Sequence, residues 1–133
     1  MTIFGAIGVA GTGMTVTRKW MDAISDNIAN ASTVTSTSEA AFQERYVVVE
    51  AMTGGDGGVQ VAGVELGSAE GRLVHEPGHP LADEDGYVRY PDVDMATQMT
   101  HLIMAQRGYQ ANAATVSRVT ESYQAALQIG RNQ

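Results

Sequence analysis

The 133-residue chain contains no cysteine, only three prolines and few aromatic residues. Without cysteine it can form no disulfide, and it has no thiolate to serve as a nucleophile or metal ligand. No apolar run approaches the ~18 residues that a membrane-spanning helix needs. The first basic residue is Arg18, so the start lacks the positively charged region of a secretion signal, and we expect no cleaved signal peptide.

Basic residues are also scarce. Eight Lys and Arg stand against fifteen Asp and Glu, which gives a formal net charge of -7. The basic residues form no cluster larger than the pair Arg18 and Lys19. This distribution argues against nucleic acid or an anionic membrane as the main partner. We therefore expect no nucleic-acid binding and no direct membrane insertion.

What the chain does contain is a pair of apolar repeats, one near each end. Steps alternating between three and four residues place side chains along one side of a helix, which is the pattern of a coiled coil. The predicted seam consists of Ile3, Ile7, Met14, Met21, Ile24, Ile28, Met95, Met99, Leu102, Tyr109, Val116, Tyr123 and Leu127. Two such helices can pair with each other, with other subunits, or with both. The pattern favours an assembly protein over an enzyme.

The segment between the repeats has β character. We predict strands at 44–50, at 59–66 with a bulge at Ala62-Gly63, and at 71–75, forming a small antiparallel hairpin or three-stranded unit. Residues 32–41 are predicted as a linker or an extended segment, 53–58 as a turn or mobile loop, and 77–91 as loop-like with strand character at 87–90. The fold class is therefore α+β and mainly helical. Residues 1–31 and 92–133 would form a discontinuous helical domain, and 32–91 a linker plus a small outer segment.

The ends of the two helices can also be predicted. Gly5, Gly8, Gly11 and Gly13 each cost up to ~1 kcal/mol relative to alanine, so residues 1–13 are predicted not to be stably helical in an isolated monomer. Asn30 is a plausible end of the first helix. Asp92 or Asp94 would cap the second helix, which we expect to run to about Ile129 and to stop at Gly130.

One segment matches a metalloprotease pattern. His75-Glu76-Pro77-Gly78-His79 fits H-E-x-x-H, which requires both histidines on one helical face with Glu as general base. Pro77, Gly78 and Pro80 leave no stable helix there, so a structured turn is the favoured interpretation and no metal site is assigned. Asp83-Glu84-Asp85-Gly86 lacks the spacing of a calcium loop and predicts a tight turn.

Polar residues cluster where the first helix ends. Asn27 and Asn30 lie three apart, and their amides could donate and accept across a helix interface. A frayed, capped helix end explains the same residues equally well. Tyr109 and Asn112 on the second helix are further candidates for contacts between helices.

Three stretches of the chain resemble bacterial flagellar rod and hook proteins. In that family a stretch close to L-D-x-I-x-N-N-I-A-N-A-N-T ends the first helix. Asn27, Ile28, Ala29, Asn30 and Ala31 match it, and Asp26 stands at the position of its first asparagine. A block of a proximal-rod member, D-P-x-H-P-x-A-D-x-x-G-Y-V-x-x-P-N-V-N, is matched by Pro77, His79, Pro80, Asp83, Gly86 and Tyr87. The pattern R-x-Y-x-A-N is matched by Arg107, Tyr109 and Asn112. Asp92 and Asp94 stand where the family block has asparagines.

The resemblance implies a non-catalytic structural subunit of the flagellar basal-body rod, without cofactor or metal. It implies export by the flagellar type III apparatus without a cleaved signal peptide. The implied partners are copies of the chain itself, other proximal-rod proteins, the distal rod and the export-gate adaptor at the rod base. Terminal helices would form the inner layer and the central segment would lie outside it.

Two other functions stay open from the residues alone. The seams by themselves allow a free-standing coiled-coil adaptor. The segment containing His75, Glu76 and His79 allows a metal-dependent hydrolase, although its prolines argue against one.

Overall fold

The structure, a computed structural model, describes residues 2–131. In chain order, the elements are α1 (Ile3–Asn30), β1 (Arg45–Ala51), β2 (Val59–Leu66), β3 (Arg72–His75), β4 (Tyr87–Tyr90) and α2 (Met95–Arg131). The two helices have 28 and 37 residues, so about half of the chain is helical. The predicted α+β, mainly helical fold is confirmed.

The two helices pack against each other in antiparallel orientation. The ring of Phe4 near the start of α1 lies 5.8 Å from that of Tyr123 near the end of α2. Further along, the Trp20 ring lies 5.7 Å from the His101 ring. Much of the buried apolar core is small, with Ala10, Ala23, Ala31 and Ala105 among its members. Small residues let the helix axes approach closely, which suits a long two-helix seam.

A second face of α1 carries the hairpin of β1 and β2. These strands pair antiparallel, and the register shifts between Val48 and Val49 because Val48 pairs with Gly63 and Val49 with Val61. Ala62 is therefore the extra residue of a β-bulge, which confirms the bulge predicted at Ala62-Gly63. α1 is covered on two sides, by α2 and by the hairpin.

The third predicted strand does not join that hairpin. β3 pairs with β4 in a separate two-stranded sheet, so a single three-stranded unit is wrong, whereas the strand character predicted at 87–90 is confirmed. The linker is tied to this second sheet, because Thr35 and Arg89 exchange backbone hydrogen bonds of 2.9 Å in both directions. The Arg89 guanidinium also donates to the Thr37 carbonyl at 2.7 Å. The pairing of β3 with β4 and the attachment of the linker to their sheet both depend on contacts between residues that are distant in sequence.

The ends of the helices are set by side chains. The Thr2 hydroxyl accepts a hydrogen bond of 3.0 Å from the Gly5 amide, and α1 is helical from Ile3 onward. The prediction that residues 1–13 are not stably helical in an isolated monomer concerns stability and stays a prediction, and Met1 lies outside the described residues. Asp94 caps α2, which then continues through Gly130 to Arg131, slightly beyond the predicted end.

Candidate functional site

The most buried polar side chain of the family motif is Asn27, near the end of α1. Its Nδ2 donates to the Arg45 carbonyl at 3.0 Å and its Oδ1 accepts from the Arg45 amide at 2.9 Å. The side chain thus pairs with β1 as a neighbouring strand would. Its second Nδ2 hydrogen reaches Oε1 of Gln98 on α2 at 3.1 Å. Asn27 therefore joins α1, α2 and the start of β1.

Gln98 extends this junction to the hairpin. Its Nε2 donates to Oε1 of Glu44, just before β1, at 2.6 Å. At the edge of the junction, Arg45 forms an ion pair with Asp26. Both of those side chains are about half exposed, so solvent screens the pair and its contribution to stability is small. The hydrogen bonds of the buried amides matter more.

Asn30 acts differently from Asn27. Its Nδ2 donates to the Asp26 carbonyl one turn earlier, at 2.8 Å, and its carbonyl accepts from the Thr33 amide at 3.0 Å. Asn30 ends α1 locally. Within this chain Asn27 bonds across the interface between α1 and α2, whereas Asn30 bonds locally, and contacts of either residue with other subunits stay a prediction. Of the other motif residues, Ala31 is buried, Ile28 is half-buried and Ala29 is exposed.

The segment from His75 to His79 is built as a turn. The Glu76 carboxylate accepts from the Tyr90 hydroxyl at 3.1 Å, and this bond raises the pKa of Tyr90. The His75 ring packs 5.0 Å from that of Tyr87. His79 Nδ1 accepts from the Leu81 amide at 3.1 Å. Glu76 and His79 thus each accept a hydrogen bond from a nearby part of the chain.

Asp83 organises the next turn. Its Oδ1 accepts from the amides of Tyr87 at 2.8 Å and Asp85 at 3.1 Å, and its Oδ2 accepts from the Thr37 hydroxyl at 3.0 Å. The hydrogen bond from the Tyr87 amide, followed by that from Thr37, lowers the pKa of Asp83. The predicted tight turn is confirmed, with Gly86 buried inside it. Within residues 2–131, no three His, Asp or Glu side chains converge to hold a metal ion.

The third motif lies in the middle of α2. Asn112 Nδ2 donates to the Gly108 carbonyl at 2.9 Å, and its side chain faces Gly13 on α1, where an added Cβ would lie 2.8 Å from Nδ2. Tyr109 lines an open groove with Met14 and Arg18, whereas Arg107 is exposed. Asn112 and Tyr109 thus lie along α1, as predicted for contacts between helices.

Only part of the predicted seam lies between the two helices. Ile24 is buried, and Ile7, Met14, Met21, Ile28, Leu102, Tyr109 and Val116 are half-buried. Ile3, Met95, Met99, Tyr123 and Leu127 are exposed. Sequence reasoning missed Gly108 and Gln98, which lie in the contact between α1 and α2. It also missed Ile103 and Ile129, which are exposed on α2.

The C-terminal part of α2 extends past α1. Because Phe4 lies beside Tyr123, residues 124–131 have no counterpart on α1 and every one of them is exposed. At 1.5 Å per residue, this extension is about 12 Å long. Leu127 and Ile129 are 51% and 67% exposed on it.

Among the described residues, none of the helices combines the length and the apolar character that crossing a membrane requires.

Comparison with known proteins identifies the same parts of the chain. The profile of a family described as "Flagella basal body rod protein" matches residues 7–35, and one described as "Flagellar basal body rod FlgEFG protein C-terminal" matches residues 84–129. These two regions contain α1 with its Asn27 motif and α2 with its capping turn.

Full-length relatives agree with the profiles. The chain is 35% identical to the flagellar basal-body rod protein FlgC of Salmonella typhimurium, with 98% of this chain and 100% of the relative covered. It is 30% identical to FlgC of Borreliella burgdorferi over 97% of this chain and 98% of the relative. It is 27% identical to FlgC of Bacillus subtilis over 98% of this chain and 100% of the relative. Because it is 35% identical to a FlgC protein over 98% of its own length, the chain belongs to the FlgC family of flagellar basal-body rod proteins.

Proposed function

We propose that this chain, a structural subunit of the flagellar basal-body rod, assembles through the exposed faces of its helices. Residues 1–31 and 92–133 would form the inner helical domain, and 32–91 the outer segment. The observation that carries the proposal is the extension of α2 beyond α1. A long amphipathic helix with Leu127 and Ile129 in solvent leaves apolar surface that neighbouring subunits can bury.

A second line of apolar residues supports the same proposal. Met95, Met99 and Ile103 follow each other at four-residue steps on α2, and all three are exposed. Single exposed apolar side chains are ordinary, but a line of them on one helix is typical of an interaction surface. The line and the extension are different patches, and contacts between unlike patches can repeat without closing into a ring. Repeated contacts of that kind produce a helical rod.

The identities of the neighbours are part of the proposal. We infer contacts with copies of this chain, with other proximal-rod proteins, with the distal rod and with the export-gate adaptor at the rod base. We also infer export by the flagellar type III apparatus without a cleaved signal peptide. Family membership supports these assignments. The torque that drives motility would then pass along the packed helices.

We propose that the chain acts without catalysis. The segment that matches the metalloprotease pattern is occupied by structural contacts, since Glu76 accepts from Tyr90 and His79 Nδ1 accepts from the Leu81 amide. β3 ends at His75, so the two histidines do not share one helical face as that chemistry requires. Stoichiometric zinc in the purified protein, lost on His79→Ala, would instead support the hydrolase.

A charge placed on the exposed line of α2 tests the assembly surface. Ile103 is 51% exposed, so Ile103→Glu should leave the monomer folded and exclude the subunit from the rod. Thr115→Glu is the matched control, because Thr115 is exposed on α2 and lies about 120° around the helix from Ile103, away from the line of Met95, Met99 and Ile103. Ile24, a residue of the predicted seam, is not a suitable site for this test. It is only 2% exposed, and a charge buried there, as in Ile24→Asp, would unfold the chain.

The readouts separate folding from assembly. Circular dichroism and the fluorescence of Trp20, the single tryptophan, report the folded monomer. Mass spectrometry of isolated basal bodies and swimming of the complemented deletion strain report assembly. Normal incorporation of Ile103→Glu into the rod would show that this face of α2 is not part of the rod interface. If the unmodified chain is absent from the basal bodies of the native host and the deletion strain still swims, a free-standing coiled-coil adaptor would be favoured.

A further inference from the structure

The first third of α1 is a weak helix that the fold nevertheless holds in helical form. Gly5, Gly8, Gly11 and Gly13 lower its helix propensity by up to ~1 kcal/mol each. Its first turn contains no acidic residue to complement the helix dipole. The Thr2 cap contributes one hydrogen bond, which offsets the cost of about one glycine. Other contacts must therefore stabilise this segment.

The loop between β1 and β2 supplies contacts of the required kind. Asp56 lies against Gly5, and a Cβ added at Gly5 would be 2.8 Å from the carboxylate carbon and from Oδ2. The carboxylate can approach this closely because Gly5 has no side chain. A negative charge beside the first turn interacts favourably with the positive end of the helix dipole. The loop thus provides the acidic group that the helix itself lacks.

Where the loop joins β2, a hydrogen bond reaches α1 two turns further along. The Thr12 hydroxyl accepts from the Val59 amide at 3.1 Å and donates to the Val9 carbonyl at 2.7 Å. Gly58 permits this contact, because a Cβ there would lie 2.6 Å from Thr12 Oγ1. The far end of the hairpin contacts α1 at two points, Gly5 and Thr12, and a Cβ added to Gly5 or to Gly58 would displace the contact there.

We propose that the loop of residues 53–58 is a clasp that holds residues 3–13 of α1 in helical form within the single chain. While the clasp is engaged, this segment and the hairpin are ordered together. When the clasp is released, the helix of the glycine-rich segment opens about five- to tenfold more often, and the rest of α1, from about Thr15 onward, is unaffected. Asn27 anchors the other end of the hairpin to α1, so release at the loop leaves the hairpin attached at its base.

Two glycine variants of the full chain test the clasp with matched backbone strain. Gly58 has a φ of +122° and Gly54 a φ of +114°, so alanine is strained to a similar extent at either position. Only Gly58→Ala places a Cβ against Thr12, since nothing lies within 4 Å of a Cβ at Gly54. Amide hydrogen exchange of residues 6–13 should be about five- to tenfold faster in Gly58→Ala than in Gly54→Ala, as expected for the loss of about one hydrogen bond. Residues 16–29 should exchange equally in the two variants.

A second pair of variants avoids the loop altogether. Thr12→Val and Thr15→Val each remove a hydroxyl that donates within the helix, because Thr15 donates to the Gly11 carbonyl. Only Thr12 also accepts from the Val59 amide. Selective loss of protection in residues 6–13 of Thr12→Val, but not of Thr15→Val, would support the clasp. Equal exchange of residues 6–13 within both pairs of variants would overturn it.

Discussion

The side chains of Asn27 on α1 and Gln98 on α2 meet through a hydrogen bond of 3.1 Å, and each residue exposes only 1% of its surface. A buried polar pair is costly unless its groups are satisfied. Here the remaining groups bind the Arg45 backbone and the Glu44 carboxylate. The fold thus uses a satisfied polar junction to fix the place where the two helices and the hairpin meet.

Loss of the Asn27 side chain should therefore be expensive. Asn27→Ala removes three hydrogen bonds and leaves the Arg45 amide and carbonyl without their partner. We expect the free energy of unfolding to fall by about 2–4 kcal/mol, measured by urea denaturation. Asn30→Ala is the control, because Asn30 bonds only locally in the motif, and it should cost less than about 1 kcal/mol. Equal losses for the two variants would contradict the distinction between them.

Features that depend on local sequence could be predicted. Asn30 ends α1, the bulge falls at Ala62, and Asp83 with Gly86 makes a tight turn. Each follows from side chains acting on backbone groups a few residues away. The position of β4 could not be derived in the same way, because its pairing with β3 depends on residues separated by a long turn.

The rotational phase of the helix seam was predicted only in part. Counting apolar side chains selected Met14, Ile28 and Met99, whereas Gly13, Asn27 and Gln98 lie in the contact between the helices. Glycine and amide side chains carry no hydrophobic signal, yet glycine allows close approach and a satisfied amide can be fully buried. The pattern therefore identifies the helices and their pairing, but its phase is off by one residue at alternate positions.

Gly71 should tolerate no side chain. Its φ is +57°, and a Cβ there would lie 2.1 Å from the Tyr90 carbonyl oxygen and 2.7 Å from the Ala41 Cβ. Backbone must move to admit it, so we expect Gly71→Ala to lower the free energy of unfolding by about 3 kcal/mol or more. Gly78→Ala, with nothing within 4 Å of the added Cβ, serves as the control. Matching thermal transitions for the two variants would argue against this packing.

Asp94 should make the stability depend on acid. The hydrogen bond from the Thr97 hydroxyl, followed by those from the Ala96 and Thr97 amides, lowers the pKa of Asp94. Because the folded-state pKa lies below the ordinary value, the stabilisation is complete above about pH 4 and is lost as the pH falls through the folded-state pKa. Asp94→Asn keeps a capping oxygen, so its urea midpoint should fall less between neutral and acid pH than that of the unmodified chain. In Asp92→Asn the urea midpoint should depend on acid as it does in the unmodified chain, because the Ala96 and Thr97 amides donate to Asp94. An unchanged acid dependence in Asp94→Asn would refute the assignment.

Two glycines of α1 should respond in opposite ways to alanine. Gly11 has nothing within 4 Å of an added Cβ, whereas a Cβ at Gly13 would lie 2.8 Å from Asn112 Nδ2 on α2. Alanine favours a helix by up to ~1 kcal/mol over glycine, so Gly11→Ala should raise the free energy of unfolding by up to that amount. Gly13→Ala gains the same propensity but pushes Asn112 away from the seam, and we expect no net gain or a loss. Urea denaturation of both variants, with Gly13→Ala/Asn112→Ala as the third, checks the cause. If the propensity of α1 alone governed stability, the two single variants would gain equally. If contact with Asn112 opposes the gain, removing that side chain should make Gly13→Ala favourable when measured against Asn112→Ala.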